Sequence, residues 1–562
     1  MRSADGRFEL IHNGEIYNYL ELRRELEALG HVFRTTSDTE VLIAAYAQWG
    51  TACLPRFIGM FAFVLLDAQR RELVLGRDPF GIKPLYWTLG AQHLAIASEI
   101  GPLLGVPGVA RRLDAERCYA FLARGQTDAG ASTMFADIRS LPAGTWAKIG
   151  LDAIAAPVPQ SYWRPTIRPR AQPLQVSVDE IRDRFLKSIE LHLRSDVPVG
   201  IALSGGIDSS AILLATRAIG GDAATIRTFS FAATGSEVDE SRYMTTAATA
   251  ARSDHHIVRI DPDDIVRDID RLIEVQGEPF GSLSIYAHYR VMELAAQNGI
   301  KVMLDGQGAD ELFAGYRPYM ARQLSGLLAK GRIADAVALS RQIARLPDTG
   351  LKLLAQAAEP MVPTWLHAPS RRVLDRAMAP AWLRQDWFAA RGVSLAPQHL
   401  AWGADILHRA LAQGLTTTVL PALLRYEDRN SMAFSIETRV PFLTPGLADA
   451  AYALPAEHLI DEHATSKTVL RAALRGLVPD EILDRRDKIG FATPDSLWAP
   501  SLQGWLTDTL TSERARAIPW FDPDRALKAL RARMARGGGF GFDLWRTVNI
   551  IRWMEAFDVD VA

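Results

Sequence analysis

The feature that most narrows what this chain can fold into is a change of period between about residues 178 and 306. There a helical segment, "DEIRDRFLKSIELHLRS", is followed by the strand "VGIALS", a Gly-Gly pair and the helix "SSAILLATRAIG". The strand "TIRTFSFA", the helix "SRYMTTAATAA", the strand "HHIVRI", the helix "YAHYRVMELAAQNG" and the strand "IKVMLDG" come next. Helices and strands alternating at these lengths build βαβ units, and βαβ units build a parallel sheet. Such a sheet opens the carboxyl ends of its strands onto a shared crevice, where ligands bind. Function is therefore to be sought in the residues that follow the strands. His255 and His256 open the strand "HHIVRI" and read as sheet residues, not a metal pair; the twelve histidines contain no HExxH arrangement.

Two of these loops are rich in glycine. "LSGGIDSS", Leu203 to Ser210, turns from strand into helix, so freed backbone N–H groups and the helix dipole favour an anion there. Gly205 and Gly206 let the backbone turn closely, Ser204 and Ser209 carry hydroxyls for phosphate oxygens, and Asp208 carries a carboxylate for a divalent cation. The loop is neither GxGxxG nor GxxxxGK[ST], and alone it also reads as an ordinary turn. "LDGQGADELFAGY", Leu304 to Tyr316, supplies the second loop, and a shared crevice lets Asp208 and Asp310 hold Mg²⁺ between two phosphates. Glu311 has two readings, an ion pair or a cap on the helix that begins there. The C-terminal half carries Arg425, Arg429, Arg439, Lys467, Arg471 and Lys488. Expelling pyrophosphate demands such cations. Taken singly, each reads as a solvated surface residue, with Lys488 set apart by the "IGF" after it.

Residues 1 to about 150 follow a different pattern. Phe8 to Ile11 reads as strand and Asn13-Gly14 as a turn. "YLELRRELEALG" and "DTEVLIAAYAQWG" read as helices stopped by Gly30 and Gly50, and "MFAFVLLD" and "ELVLGRD" as strands joined by a polar turn. The proline-rich "APVPQSYWRPTIRPRAQPLQ" reads as a surface linker, since proline cannot donate a backbone hydrogen bond. These boundaries divide the chain into residues 1–155, a linker 156–177, and residues 178–562. With 562 residues, 48% of them hydrophobic, the chain can bury two cores. A net charge of -2 draws it to neither nucleic acid nor an anionic membrane. Two cysteines, Cys53 and Cys118, are too few for a disulfide scaffold, and Cys53 in "WGTACLPRF" reads as a small core hydrophobe. There is no 18-residue apolar run and no signal-peptide pattern, so a cytoplasmic location is expected.

The motifs in this order resemble the glutamine-dependent asparagine synthetases that carry an N-terminal glutaminase domain. "NGEIYNY", "TSDTEV", "GMFAF", "GRDPFGIKPLY" and "ASEI" are similar to the glutaminase half. "RSDVPVGIALSGGIDSS", "GADELFAGY", "LLRYEDRNSMAFSIETRVPFL" and "KIGFATP" are similar to the synthetase half, so the resemblance runs from residue 1 to about 500. It implies a two-domain α+β/α/β fold: an N-terminal-nucleophile hydrolase-like sandwich, here without its N-terminus, then a parallel-sheet adenine-nucleotide α-hydrolase-like domain with a helical C-terminal part. It also implies a reaction. With Mg²⁺, ATP activates the side-chain carboxylate of aspartate as an acyl-adenylate, ammonia from glutamine attacks it, and AMP and pyrophosphate leave. The matched motifs put Ser204, Gly205, Gly206, Asp208 and Ser209 on pyrophosphate, Asp208 and Asp310 on Mg²⁺, and Lys488 on the departing phosphates. Leu203, Phe231, Asp305 and Gly306 match positions that contact AMP. Asn13 and Gly14 match the glutaminase oxyanion hole, and Asp38 the carboxylate that grips the α-amino group of glutamine. A homodimer is ordinary for the resembled family.

The chain also departs from that family. Its glutaminase nucleophile is a cysteine exposed as residue 1, whereas this chain begins Met-Arg and Cys53 has no free α-amine to act as base. The resemblance thus implies further residues ahead of "DGRFELIHNGEIYN", with Met1 an internal methionine, or else a chain that has lost its glutaminase; either way the polypeptide as written is expected to use ammonia and not glutamine. "DGQG" stands where the family has an acidic residue between glycines, and Gln307 cannot take a proton from an attacking amine. Thr444 in "PFLT" replaces an aspartate. Both departures admit other acceptors: a carboxylate of surface-polysaccharide or peptide metabolism, or a lactam-forming substrate. A non-catalytic nucleotide-binding remnant is the third reading, opposed by intact Ser204, Asp208, Asp310 and Lys488.

Overall fold

The computed structural model describes residues 1–90, 93–128, 130–221, 225–346, 349–361, 379–393, 400, 403–486, 491–537 and 539–561. Strands β1 (Phe8–Ile16), β2 (Gly59–Asp67), β3 (Glu72–Arg77), β7 (Thr145–Gly150) and β8 (Gln160–Ser161) form an antiparallel sheet in that order. A smaller antiparallel sheet orders β5 (Leu94–Ala97), β4 (Tyr86–Leu89) and β6 (Arg139–Ser140). β1 runs straight through Asn13-Gly14, where the sequence predicts a turn. Pairing with β2 decides the matter, for Gly14 lies opposite Phe61 and Ile16 opposite Gly59. At Gly14 (φ 138°) a Cβ would sit 2.0 Å from the Met60 carbonyl oxygen, so this glycine serves close strand approach and not chain reversal. The helices Tyr19–Ala28 and Asp38–Trp49 bury Leu22, Leu26, Val41 and Leu42 against Phe8, Leu10 and Phe61 of this sheet, with Cys53 in the same core. The proline-rich crossing adds β8 to the sheet edge and sets Trp163 at a tilt against Phe80, ring centroids 4.8 Å apart.

The second half is built on a parallel sheet ordered β11 (Asp254–Val258), β10 (Arg227–Phe231), β9 (Val199–Ala202), β12 (Val302–Leu304) and β13 (Glu437–Arg439). The alternating pattern anticipates β9 to β12 and the helices Ile207–Gly220, Ser241–Ala251 and Ser284–Gln297 between them. It does not announce β13, a three-residue strand from the helical C-terminal part that pairs Val302 with Glu437. Among the described residues no helix is long and apolar enough to cross a membrane.

Buried charges join the halves. Asp78 accepts the backbone N–H groups of Phe80, Gly81, Ile82 and Lys83 at 3.0, 2.7, 3.0 and 3.0 Å, which fixes the "GRDPFGIKPLY" turn. That turn delivers Lys83 Nζ to Asp428 Oδ1 at 3.2 Å, both side chains buried. Arg429 reaches across to the carbonyl of Ser98 at 2.6 Å, while Arg439, within the second half, donates to the carbonyls of His192 and Arg194 at 2.8 and 2.6 Å. Arg425 ion-pairs with Asp128 at 3.0 Å. These three arginines, read from sequence as solvated, are 7%, 6% and 3% exposed for Arg425, Arg429 and Arg439. Sequence alone does not distinguish a charge with fixed partners from a solvated one, because the partners lie far along the chain.

Candidate active site

A cavity of about 750 Å³ opens at the carboxyl ends of β9, β10 and β12. The loop after β9 turns sharply: Ser204 N–H donates to Ser209 Oγ at 3.1 Å, and Gly206 N–H to Ser204 Oγ at 3.3 Å. Gly205 has φ +76°, and a Cβ there would lie 2.9 Å from the Met244 nitrogen. Arg485 braces the loop from outside by donating to the Gly205 carbonyl at 3.1 Å, and it pairs with Glu240 while lying over the Tyr243 ring. The loop after β12 abuts the first, since a Cβ on Gly306 would sit 3.1 Å from Asp208 Cβ.

At that junction Lys467 Nζ lies 2.5 Å from Asp208 Oδ1 and 2.6 Å from Asp310 Oδ1. Lys467 is buried and holds a left-handed backbone (φ 56°), a strained conformation of the kind that clusters at functional sites. Only glycine fits at 315, because a Cβ would stand 1.7 Å from Asp310 Oδ1 and 2.3 Å from Lys467 Cε. Two carboxylates converging on one cationic centre match the donor set of Mg²⁺, which takes one or two carboxylates and completes its shell with phosphate and water.

The structure brings most of the predicted synthetase-half residues together. Leu203, Ser204, Gly206, Asp208 and Ser209 line the cavity, with Gly205 in the turn between them. Phe231, Asp305, Gly306, Gln307 and Asp310 line it from the other loops, as do Lys467 and Arg471. Arg425, Arg429 and Arg439 serve the buried contacts described above. Lys488 lies outside the described residues. Glu311 takes neither reading made for it: it is buried, accepts a hydrogen bond from Tyr316 Oη at 2.9 Å, and its helix has no side-chain cap. Burial, reinforced by the Asp310 charge, pushes its pKa to about 7.

Sequence reasoning named Asp305 but missed the two residues that meet it on the cavity wall. His288 Nε2 lies 3.4 Å from Asp305 Oδ2 and 3.4 Å from Glu427 Oε2. Gln276 donates to Asn430 Oδ1 at 2.8 Å, and Asn430 Nδ2 donates to the Ile285 carbonyl at 2.9 Å and faces His288 Nδ1 at 3.0 Å. Asn430 so oriented turns Nε2 of the imidazole toward the carboxylates. Burial lowers the affinity of His288 for a second proton, while Glu427 and Asp305 raise its pKa to about 10. Burial, with Asp305 nearby, raises the pKa of Glu427. The only sequence signal was position: Glu427 falls within the quoted "LLRYEDRNSMAFSIETRVPFL", whereas His288 sits inside an unremarkable amphipathic helix.

In the N-terminal half, β1 carries the predicted pair Asn13 and Gly14 and meets the first turn of the helix Asp38–Trp49. Ile16 N–H donates to Asp38 Oδ2 at 2.9 Å, and Asn13 Nδ2 donates to Ser98 Oγ at 3.3 Å. Ser98 is the residue whose carbonyl holds Arg429, so this region touches the helix Leu420–Met432 that also carries Glu427. Burial raises Glu15 to about 7, with Asp38 and Glu437 adding to it. Cys53 and Cys118 are both buried; burial pushes the Cys53 thiol up to about 12 and the Cys118 thiol well above its ordinary value, so neither is a ready nucleophile.

The family model "Asparagine synthase" matches residues 180–555, and "Glutamine amidotransferase domain" matches residues 1–163. A Mycobacterium tuberculosis protein named "Putative asparagine synthetase [glutamine-hydrolyzing]" is 35% identical over 99% of this chain and 85% of its own length. "Asparagine synthetase [glutamine-hydrolyzing] 1" of Bacillus subtilis is 30% identical over 98% of this chain and 85% of its own. "Amidase chyE" of Penicillium rubens is 26% identical over 98% and 86%. A solved glutamine phosphoribosylpyrophosphate amidotransferase from B. subtilis overlaps at a TM-score of 0.21 and 16% identity, over 54% of this chain and 57% of its own, too slight a likeness to carry an argument.

Proposed function

Because the chain belongs to the glutamine-hydrolysing asparagine synthetase family, we propose that it is a carbon–nitrogen ligase that activates the side-chain carboxylate of aspartate with ATP and converts the acyl-adenylate to asparagine. One observation carries the reading: Asp208 and Asp310, from loops after two parallel strands, converge on Lys467 beside the Ser204–Ser209 turn. The N–H groups and hydroxyls of that turn bind pyrophosphate, and Leu203, Phe231, Asp305 and Gly306 frame the AMP portion. Asp208 and Asp310 would hold Mg²⁺, which would neutralise phosphate charge when bound. Lys467, joined by Lys488, offsets the negative charge that develops as the bond from the α-phosphorus to pyrophosphate breaks. The substrate carboxylate oxygen takes that phosphorus, and an amine then displaces AMP from the acyl carbon. On this reading residues 1–155 form an amidotransferase-like unit, in which Asn13 and Gly14 serve an oxyanion and Asp38 the glutamine amine, and residues 178–562 form the synthetase unit. With Cys53 and Cys118 both buried, these 562 residues take ammonium as the nitrogen source.

The test supplies ATP, Mg²⁺ and aspartate with either ammonium or glutamine, and quantifies pyrophosphate and asparagine. Ammonium should give both products in equal amounts, and glutamine neither. Folded protein that binds ATP yet releases no pyrophosphate with any carboxylate would refute the ligase reading. A second reading, another carboxylate as acceptor, is favoured by Gln307 and by Thr444, which stands buried and uncharged at the start of the helix Pro445–Tyr452. Pyrophosphate release that ignores aspartate but follows another carboxylate would select it.

A further inference from the structure

Aminolysis of an acyl-adenylate leaves positive charge on the attacking nitrogen, and a proton must depart before the amide is neutral. Gln307 has no basic atom to receive it. The structure places another group at the same point. Glu427 is 4% exposed and lines the cavity, and its Oε2 accepts a hydrogen bond from Gln307 Nε2 at 3.4 Å. Its second oxygen, Oε1, is sealed from solvent and has no hydrogen-bond partner among the described residues. A buried carboxylate oxygen left without a donor is costly unless a ligand supplies one. His288 and Asp305 complete the trio, with ligand atoms mutually within 4.8 Å, close enough to suggest a metal. Asn430 faces His288 Nδ1 and turns Nε2 toward Glu427 and Asp305, which hold the imidazole protonated, so its own positive charge stands where a cation would.

We propose that Glu427 is the base that deprotonates the attacking amine, with His288 as its positioning residue, and that it does the work Gln307 cannot. The inference rests on the ligase reading above. The nitrogen lone pair forms the bond to the acyl carbon. One N–H proton passes to the Glu427 carboxylate, the acyl carbon–oxygen bond to AMP breaks, and AMP leaves with that electron pair. His288 Nε2 and Gln307 Nε2 both face Oε2, while Oε1 has no protein donor among the described residues.

Glu427→Gln preserves size and separates the two half-reactions. With aspartate as the probe carboxylate, exchange of labelled pyrophosphate into ATP reports adenylation, and ammonium-dependent amide reports aminolysis. E427Q should keep exchange within about threefold and lose amide formation by about 100-fold or more, the range of a general base. His288→Asn should slow amide formation by roughly tenfold more than it slows exchange. Wild-type amide formation in E427Q overturns the proposal. If E427Q loses exchange as well, combining it with Gln307→Glu decides: recovered amide formation supports a mobile carboxylate base, and no recovery overturns it. Failure of the wild type to exchange pyrophosphate with any carboxylate refutes the ligase reading itself, an outcome distinct from exchange without any need for Glu427.

Discussion

Replacing Lys467 with methionine keeps side-chain length and removes the ammonium that Asp208 and Asp310 share. Lys467 is 2% exposed, and its partners' side chains are 13% and 14% exposed. Breaking a buried pair by deleting one partner costs about 3–5 kcal/mol. The residual solvent access of the two carboxylates places this case near the lower end, about 3 kcal/mol. The two carboxylates then lose the charge that lies between them. Mg²⁺ at about ten times its dissociation constant would return about 1.4 kcal/mol to the variant by linkage, and less to the wild type, where the ammonium already fills the role. Urea midpoints followed by tryptophan fluorescence, with and without Mg²⁺ and with ionic strength matched by NaCl, separate this from screening. Trp498 packs within 6.1 Å of Phe231 and so reports on the cavity wall. Pyrophosphate release should fall by about 100-fold. A K467M protein as stable as the wild type, or one that Mg²⁺ stabilises no more than the wild type, would refute the reasoning.

Two further outcomes follow from buried charges. Lys83→Met strands Asp428, leaving it Arg429 at 3.6 Å, and should destabilise the junction of the halves by about 2–3 kcal/mol. Adding Asp428→Asn should restore part of that loss, and additive single effects in a urea-denaturation cycle would show that the pair is not coupled. His192 is fully buried, and burial drops its pKa to about 3 despite the hydrogen bond to the Ser188 carbonyl. The unfolded chain takes up this proton near pH 6.5 and the folded chain only near 3, so stability is complete above 6.5 and declines as pH falls through that window. By pH 4.5 the loss is roughly 3 kcal/mol, and His192→Gln should flatten it; an unchanged slope in the variant would exclude His192 as the cause.

How much of this was legible depends on how far apart the deciding residues stand. The strands β9 to β12 and the helices between them were readable because each is announced by its own few residues, by period and by glycine stops. The Ser204–Ser209 turn and Asp310 were readable for the same reason, since a loop after a parallel strand has a predictable place at the sheet's edge. Asn13-Gly14 was misread because its local turn preference yields to nine residues of pairing with β2. β13 was invisible, being three residues long and defined only by its neighbour β12. The arginines of "LLRYEDRNSMAFSIETRVPFL" could be seen as charges but not as buried ones.

The sequence by itself determined the parallel-sheet core, the phosphate-type loop, the pair of carboxylates and the family to which they belong. All of these rest on backbone chemistry written within short windows. Only the tertiary structure decided that Lys467 stands between Asp208 and Asp310, that Arg429 and Lys83 tie the halves, and that Glu427 meets Gln307 beside His288. Hydrogen bonds and ion pairs act over a few ångströms, and here they join residues more than a hundred positions apart, so their partners exist only once the chain has folded.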